Sequence, residues 1–132
     1  MSENFNSKNI IKYWIESSDD DFKTMLDLYK TKNYNWSLFI GHLVIEKLLK
    51  AYYLKVKNEY PPLIHDLRRL AEKADMVLDD NRIIEFETIS QFNIRARYDD
   101  YKRKFYKLCT ENFTTEWIEK IKNVQQWIKT ML

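Results

Sequence analysis

Turn-forming residues are almost missing from this 132-residue chain, which holds one glycine, Gly41, and two adjacent prolines, Pro61 and Pro62. Tight β-hairpin turns and phosphate-cradling loops both rely on glycine for backbone conformations that other residues avoid, so neither has the material it needs. An all-helical chain is the remaining expectation. Cysteine is equally scarce: Cys109 stands alone, which excludes an intramolecular disulfide. With only His42 and His65 to join that thiol, a Cys/His metal cage is not expected, nor is any other metal or cofactor. No apolar run approaches the roughly 18 residues that a membrane span needs, and Asn4, Asn6, Lys8 and Asn9 interrupt any signal-like region near the start. A cytoplasmic protein without a membrane partner is expected. Charge of one sign is lacking too, since 22 basic residues against 20 acidic ones leave +2, a balance that by itself favours neither nucleic acid nor a lipid surface.

What the chain has in quantity is apolar and aromatic material, 45% and 15% of its residues, enough for one core and a single domain over residues 1–132. From about Lys8 to Lys32, Ile11, Trp14, Ile15, Phe22, Met25, Leu26 and Tyr29 keep a helical period, with Ser7 as N-cap. A break is conceivable at Ser17-Ser18, but Trp14, Phe22, Met25 and Tyr29 stay on one stripe through it, which predicts one helix. A second helix, about Asn35 to Lys57, is apolar around much of its circumference through Leu38, Ile45, Leu49, Tyr52 and Val56, widened by Phe39, Leu43 and Leu48. Such an element is central, covered on several sides by its own chain or by a second copy. Pro61-Pro62 ends it. A third helix is predicted from Leu63 to Ala74 with Leu63, Leu67, Leu70 and Ala74 inward, and a fourth from Asp79 or Asp80 to Phe92 using Ile83, Ile84, Phe86 and Ile89. After an irregular stretch from Asn93 to Tyr106, Thr114 or Thr115 caps a last helix carrying Trp117, Ile121, Val124, Ile128 and Met131 at regular helical spacing. The whole reads as an all-α, five-helix antiparallel up-and-down bundle.

Three polar features stand out against this background. His42, Glu46, Lys50 and Tyr53 form a stripe along the second helix, either a solvated i, i+4 pair or a functional face. His65 next to Asp66 is either a general base oriented by a carboxylate or a helix start whose backbone donors Asp66 serves. Between Arg95 and Lys107, Arg95, Arg97, Lys102, Arg103, Lys104 and Lys107 alternate with Tyr98, Tyr101, Phe105 and Tyr106, the mixture that neutralises phosphates and stacks on bases. The same segment can instead pair within the fold, with Arg97 on Asp99 or Glu46.

In order along the chain, Trp14 with Asp20 or Asp21, Glu46-Lys47-Leu48-Leu49-Lys50-Ala51, His65-Asp66-Leu67, Ala96-Arg97-Tyr98 and Trp127 resemble the motifs of the HEPN family. These are small helical domains of prokaryotic toxin–antitoxin and nucleotidyltransferase-associated operons. The resemblance implies an antiparallel helical bundle that dimerises and, in catalytic members, a metal-independent endoribonuclease formed where two copies meet. Those members carry an Arg separated by four to six residues from a His. Here the positions at that distance from Arg95 and Arg97 hold Asp100, Tyr101, Lys102, Arg103 and Lys104, and neither His42 nor His65 has an Arg at that distance upstream. Without that imidazole, ordinary ribonuclease chemistry lacks its acid or base.

The sequence therefore leads first to a non-catalytic homodimer that binds RNA or a nucleotide through Arg95, Arg97, Tyr98, Lys50, Lys102 and Arg103, alongside a nucleotidyltransferase-like partner. Two alternatives belong to other classes. One is a divergent endoribonuclease using Glu46, Arg97 and His65, and the other is a protein-binding module whose interface includes Trp36 and Phe39.

Overall fold

The structure, a computed structural model, describes residues 6–132, so Asn4 of the polar N-terminal stretch lies outside the described residues. Helix α1 spans Ser7–Lys30, and its N-cap is Asn6, one residue before the expected Ser7, because the Asn6 side chain accepts from the Asn9 amide at 3.2 Å. It runs unbroken through Ser17-Ser18. The serine hydroxyls are used between helices: Ser17 Oγ accepts from Lys47 Nζ at 2.8 Å, and Ser18 Oγ donates to the Val44 carbonyl at 2.8 Å. A three-residue turn, with Lys32 in the left-handed region (φ 65°), reverses the chain into α2, Tyr34–Lys57. Ser37 Oγ donates to the Met25 carbonyl at 2.8 Å, and Lys47 pairs with Asp21 at 2.6 Å. Together these bonds fix the register of the α1/α2 hairpin.

Helix α2 ends at Asn58 in the left-handed conformation (φ 54°), which Asn tolerates better than most residues. The third helix, α3, is Leu67–Lys73 and starts four residues later than the apolar pattern suggests. The proline pair keeps the approach extended, and the Asp66 carboxylate accepts from the Arg69 amide at 3.1 Å, so the cap rather than the pattern sets the start. Leu63 is left 96% exposed instead of inward. Leu67 N also donates to Ser90 Oγ at 2.9 Å, tying this start to the next helix.

That helix, α4, is Asp80–Arg97, capped by Asp79, whose side chain accepts from the Arg82 amide at 2.8 Å. Ile84, expected inward, is exposed. The stretch expected to be irregular is helical apart from one residue. Buried Asn93 and Ala96 carry α4 to Arg97, Tyr98 is extended (ψ 129°), and α5 follows at once as Asp99–Leu108. Asp99 and Asp100 sit in the first turn of α5, where negative charge offsets free amide donors. Phe105 anchors α5 by stacking 5.6 Å from Phe92. The described residues thus form six helices, not five.

The last helix, α6, is Glu111–Lys129, and its cap is Thr110, which accepts from the Phe113 amide at 3.2 Å, rather than Thr114 or Thr115. Thr114 is instead buried on the inner face with Trp117, Ile118, Ile121, Val124 and Ile128. Lys129 pairs with Asp19 at 2.6 Å and Tyr29 meets Thr115 at 2.6 Å, which makes α6 antiparallel to α1. Contacts of Arg82 with Asn123 and of Phe92 with Phe113 make it antiparallel to α4 as well. Helix α2 occupies the centre, touching α1, α3, α4, α5 and α6. Gly41 leaves room for side chains of α6 and α1: a Cβ there would lie 2.5 Å from Ile121 Cδ1 and 3.1 Å from Met25 Sδ.

Candidate functional site

Helix α2 is buried on so many sides that two of its polar side chains, His42 and Glu46, go into the interior with it; His42 is fully buried and Glu46 is 3% exposed. A buried ionisable group needs partners, and the extended segment before α3 supplies them. His65 Nδ1 lies 2.7 Å from Glu46 Oε1, and Lys50 Nζ donates to Glu46 Oε2 at 3.2 Å. His42 Nε2 lies 2.8 Å from the carbonyl oxygen of His65. A carbonyl only accepts, so His42 carries its proton on Nε2, and its Nδ1 is a buried lone pair without a partner. Backbone and side chain of one residue, His65, therefore seal both buried groups.

Burial alone would raise the Glu46 carboxyl, but the His65 hydrogen bond, the nearby His42 and the Lys50 ammonium together hold it below the usual carboxylate value. Burial pushes the His42 imidazole below its ordinary value, in the same sense as the charge of Arg97 and against the pull of the His65 carbonyl and Glu46. Glu46 is thus a carboxylate and His42 a neutral donor. With Nδ1–H committed to Glu46, the basic nitrogen of His65 is Nε2, on a side chain that is 66% exposed. The carboxylate that orients His65 is Glu46, nineteen residues away in sequence, and not the adjacent Asp66, which serves the α3 amide.

Arg97 ends α4 on the other flank of His42. Its Nε donates to the Asn93 carbonyl at 3.1 Å, and its guanidinium lies 5.6 Å from the Phe39 ring and 5.7 Å from the Tyr98 ring. No carboxylate pairs with it among the described residues; neither Asp99 nor Glu46 takes the role open to them from sequence. Lys50 lies over the Trp14 ring at 4.9 Å, which gives the early Trp a place in this cluster. Lys102, from α5, lies over Trp36 at 5.7 Å.

Of the sequence-derived candidates, the structure gathers Glu46, Lys50, His65, Arg97 and Tyr98. It separates Arg95, which lies over Phe105 at 5.3 Å and lines a hollow with Phe113 and Trp117. Residues two apart on a helix point in nearly opposite directions, so Arg95 and Arg97 cannot share a surface. Lys102 and Arg103 line a separate groove with Asn35, Tyr106 and Lys107. Asn93 is not among the sequence candidates, whereas His42 is one as a member of the α2 stripe and Phe39 only as part of the protein-binding alternative. Among the described residues no group of three His, Cys, Asp or Glu is placed to hold a metal ion. Burial pushes the Cys109 thiol up to about 12 against the opposing charge of Arg95, so it stays protonated.

A family model described as the HEPN domain matches residues 11–131. The chain belongs to the HEPN family. No curated protein and no solved structure matches it. The match to this HEPN domain takes in all six helices, with only the first turn of α1 outside it, and includes every residue of the Glu46, His65 and Arg97 cluster. No described helix is long and apolar enough to cross a membrane.

Proposed function

We propose that this HEPN protein binds RNA or a nucleotide without cleaving it, holding phosphate at the surface formed by Arg97, His65 and Lys50. The observation that carries this reading is the guanidinium of Arg97, which has no carboxylate partner among the described residues, lies by the Phe39 and Tyr98 rings and acts on His42, whose Nε2 bonds the backbone of the Glu46-anchored His65. Cations held on aromatic rings suit a ligand that offers phosphate and a flat base together. The protein acts in the cytoplasm as a homodimer beside a nucleotidyltransferase-like partner, in keeping with its family. Incubating the purified protein with mixed cellular RNA in a chelator tests the reading. Intact RNA retarded on a native gel, with the retardation weakened by Arg97→Ala, is expected; unretarded RNA would contradict it.

A second reading rests on the 2.7 Å contact between His65 and Glu46. A carboxylate-oriented imidazole with an exposed Nε2 has the form of a general acid or base, which a divergent endoribonuclease requires. Cleavage in the same incubation, abolished by His65→Ala, would establish that reading in place of the first.

A further inference from the structure

Between the start of α2 and the length of α5 lies a groove whose two adjoining hollows, of about 380 and 340 Å³, share Asn35, Tyr106 and Lys107. Lys102 and Arg103 line the first hollow, and Lys32 and Tyr34 line the second. Its charge sets it apart. Lys32, Lys102, Arg103 and Lys107 all border it, no Asp or Glu lines either hollow, and none of the four cations pairs with a carboxylate among the described residues. Hollows elsewhere mix signs, as where Arg68 and Arg69 meet Glu72 and Glu87, or Arg82 meets Asp79 and Glu85. Outside the lining, Asp99 and Asp100 lie in the first turn of α5, and the charge of Glu111 is felt by Tyr34 at the far end.

The groove is also connected to the site already described. From Arg97, Phe39 lies at 5.6 Å; from Phe39, the Trp36 ring lies at 5.8 Å; and Lys102, which borders the groove, is 5.7 Å from Trp36. The line runs cation, ring, ring, cation, so two adjacent rings lie between two positive charges. A mononucleotide would occupy one end of such a track, whereas a chain of phosphates with bases between them matches its whole length.

We infer that the α2/α5 groove is a second binding subsite, in which a single-stranded RNA held at Arg97 and His65 continues across Trp36 and lays further phosphates against Lys102, Arg103 and Lys107, with a base on Tyr106. This rests on the reading that Arg97 and His65 bind RNA, and it selects a polynucleotide over a mononucleotide as the ligand. The rest of the groove contributes through phosphate charge, so recognition there is insensitive to sequence and strongly dependent on salt.

Fluorescence anisotropy with labelled oligoadenylates, one a trinucleotide and one a dodecanucleotide, tests the inference. The wild type binds the dodecamer at least about tenfold more tightly than the trimer. Lys102→Glu combined with Lys107→Glu removes that difference and leaves trimer binding unchanged, while Arg97→Ala weakens both. Tyr106→Ala reduces dodecamer binding, and Tyr106→Phe restores it. If the charge reversals leave dodecamer affinity intact while Arg97→Ala lowers it, the groove is wrong and the Arg97 reading stands. If neither oligonucleotide binds, both fall. If the groove variants lose only an acidic polypeptide ligand and not RNA, the groove is a protein-docking surface and the inference is overturned.

Discussion

Glu46 is the residue on which the local electrostatics turn. Itself buried, it holds through its two oxygens Lys50, one turn along the same helix, and the largely exposed His65 from the segment before α3. Glu46→Gln keeps the shape but removes the charge both partners answer, and should destabilise the fold by about 2 kcal/mol, read as a lower urea midpoint. His42 and Glu46 also give stability a definite pH dependence. Both have folded values below their unfolded ones, so as pH falls the unfolded chain takes up protons that the folded chain refuses. The contribution from His42 is complete above its ordinary 6.5 and declines as pH falls below that toward its folded value. That from Glu46 follows, declining once pH passes below 4.5 toward its own folded value. The melting temperature should therefore drop on acidification from neutrality, and His42→Gln, which keeps a donor for the His65 carbonyl, should flatten the first part of that drop. From sequence, the i, i+4 spacing of His42, Glu46 and Lys50 was visible, but not that Glu46 would capture His65. That pairing depends on how the Pro61-Pro62 segment folds back over α2, a long-range event with no local pattern behind it.

Helices were legible where a stripe of apolar residues ran without interruption, as in α1, α2 and α6, and their ends were legible where a cap competed with nothing. Asp79 capping α4 is such a case. The starts of α3 and α6 depart from the apolar and Thr-rich patterns for one cause: Asp66 and Thr110 are the side chains best placed to take the free amides. For α6 this gives a discriminating test. Thr110→Ala should cost about 1 kcal/mol through loss of the cap, whereas Thr115→Ala, which loses only an exposed contact with Tyr29, should cost much less. Thermal unfolding of the two variants side by side decides it. The segment after Phe92 read as irregular because its basic and aromatic residues alternate too evenly to show a stripe. Tertiary contacts settled it, since Phe105 on Phe92 gives α5 a single buried anchor while its other faces stay wet. Bringing Lys102 over Trp36 and Arg97 over Phe39 is the consequence that bears on function.

The molecule as a whole is organised around α2, which carries the core on most of its circumference and the polar cluster on the remainder. Close approach of α6 at Gly41 is part of that arrangement: Gly41→Val would push into Ile121 and Met25 and should destabilise by about 2–3 kcal/mol, measured by denaturant unfolding. Because α2 is covered by five helices of its own chain, its free surface is confined to its ends: the first turns, where Trp36 and Phe39 meet α5 and the end of α4, and the last turn, where Val56, expected inward, is exposed. The central proposal is that the Arg97 surface holds phosphate. Titrating a labelled single-stranded RNA with wild type and Arg97→Ala over a series of salt concentrations, in a chelator, tests it most directly. The account predicts wild-type affinity that falls linearly on logarithmic axes as salt rises, by about 0.7 per phosphate contact, with Arg97→Ala weaker by about tenfold and shallower in slope. Equal affinity and equal slope for the two proteins would contradict it.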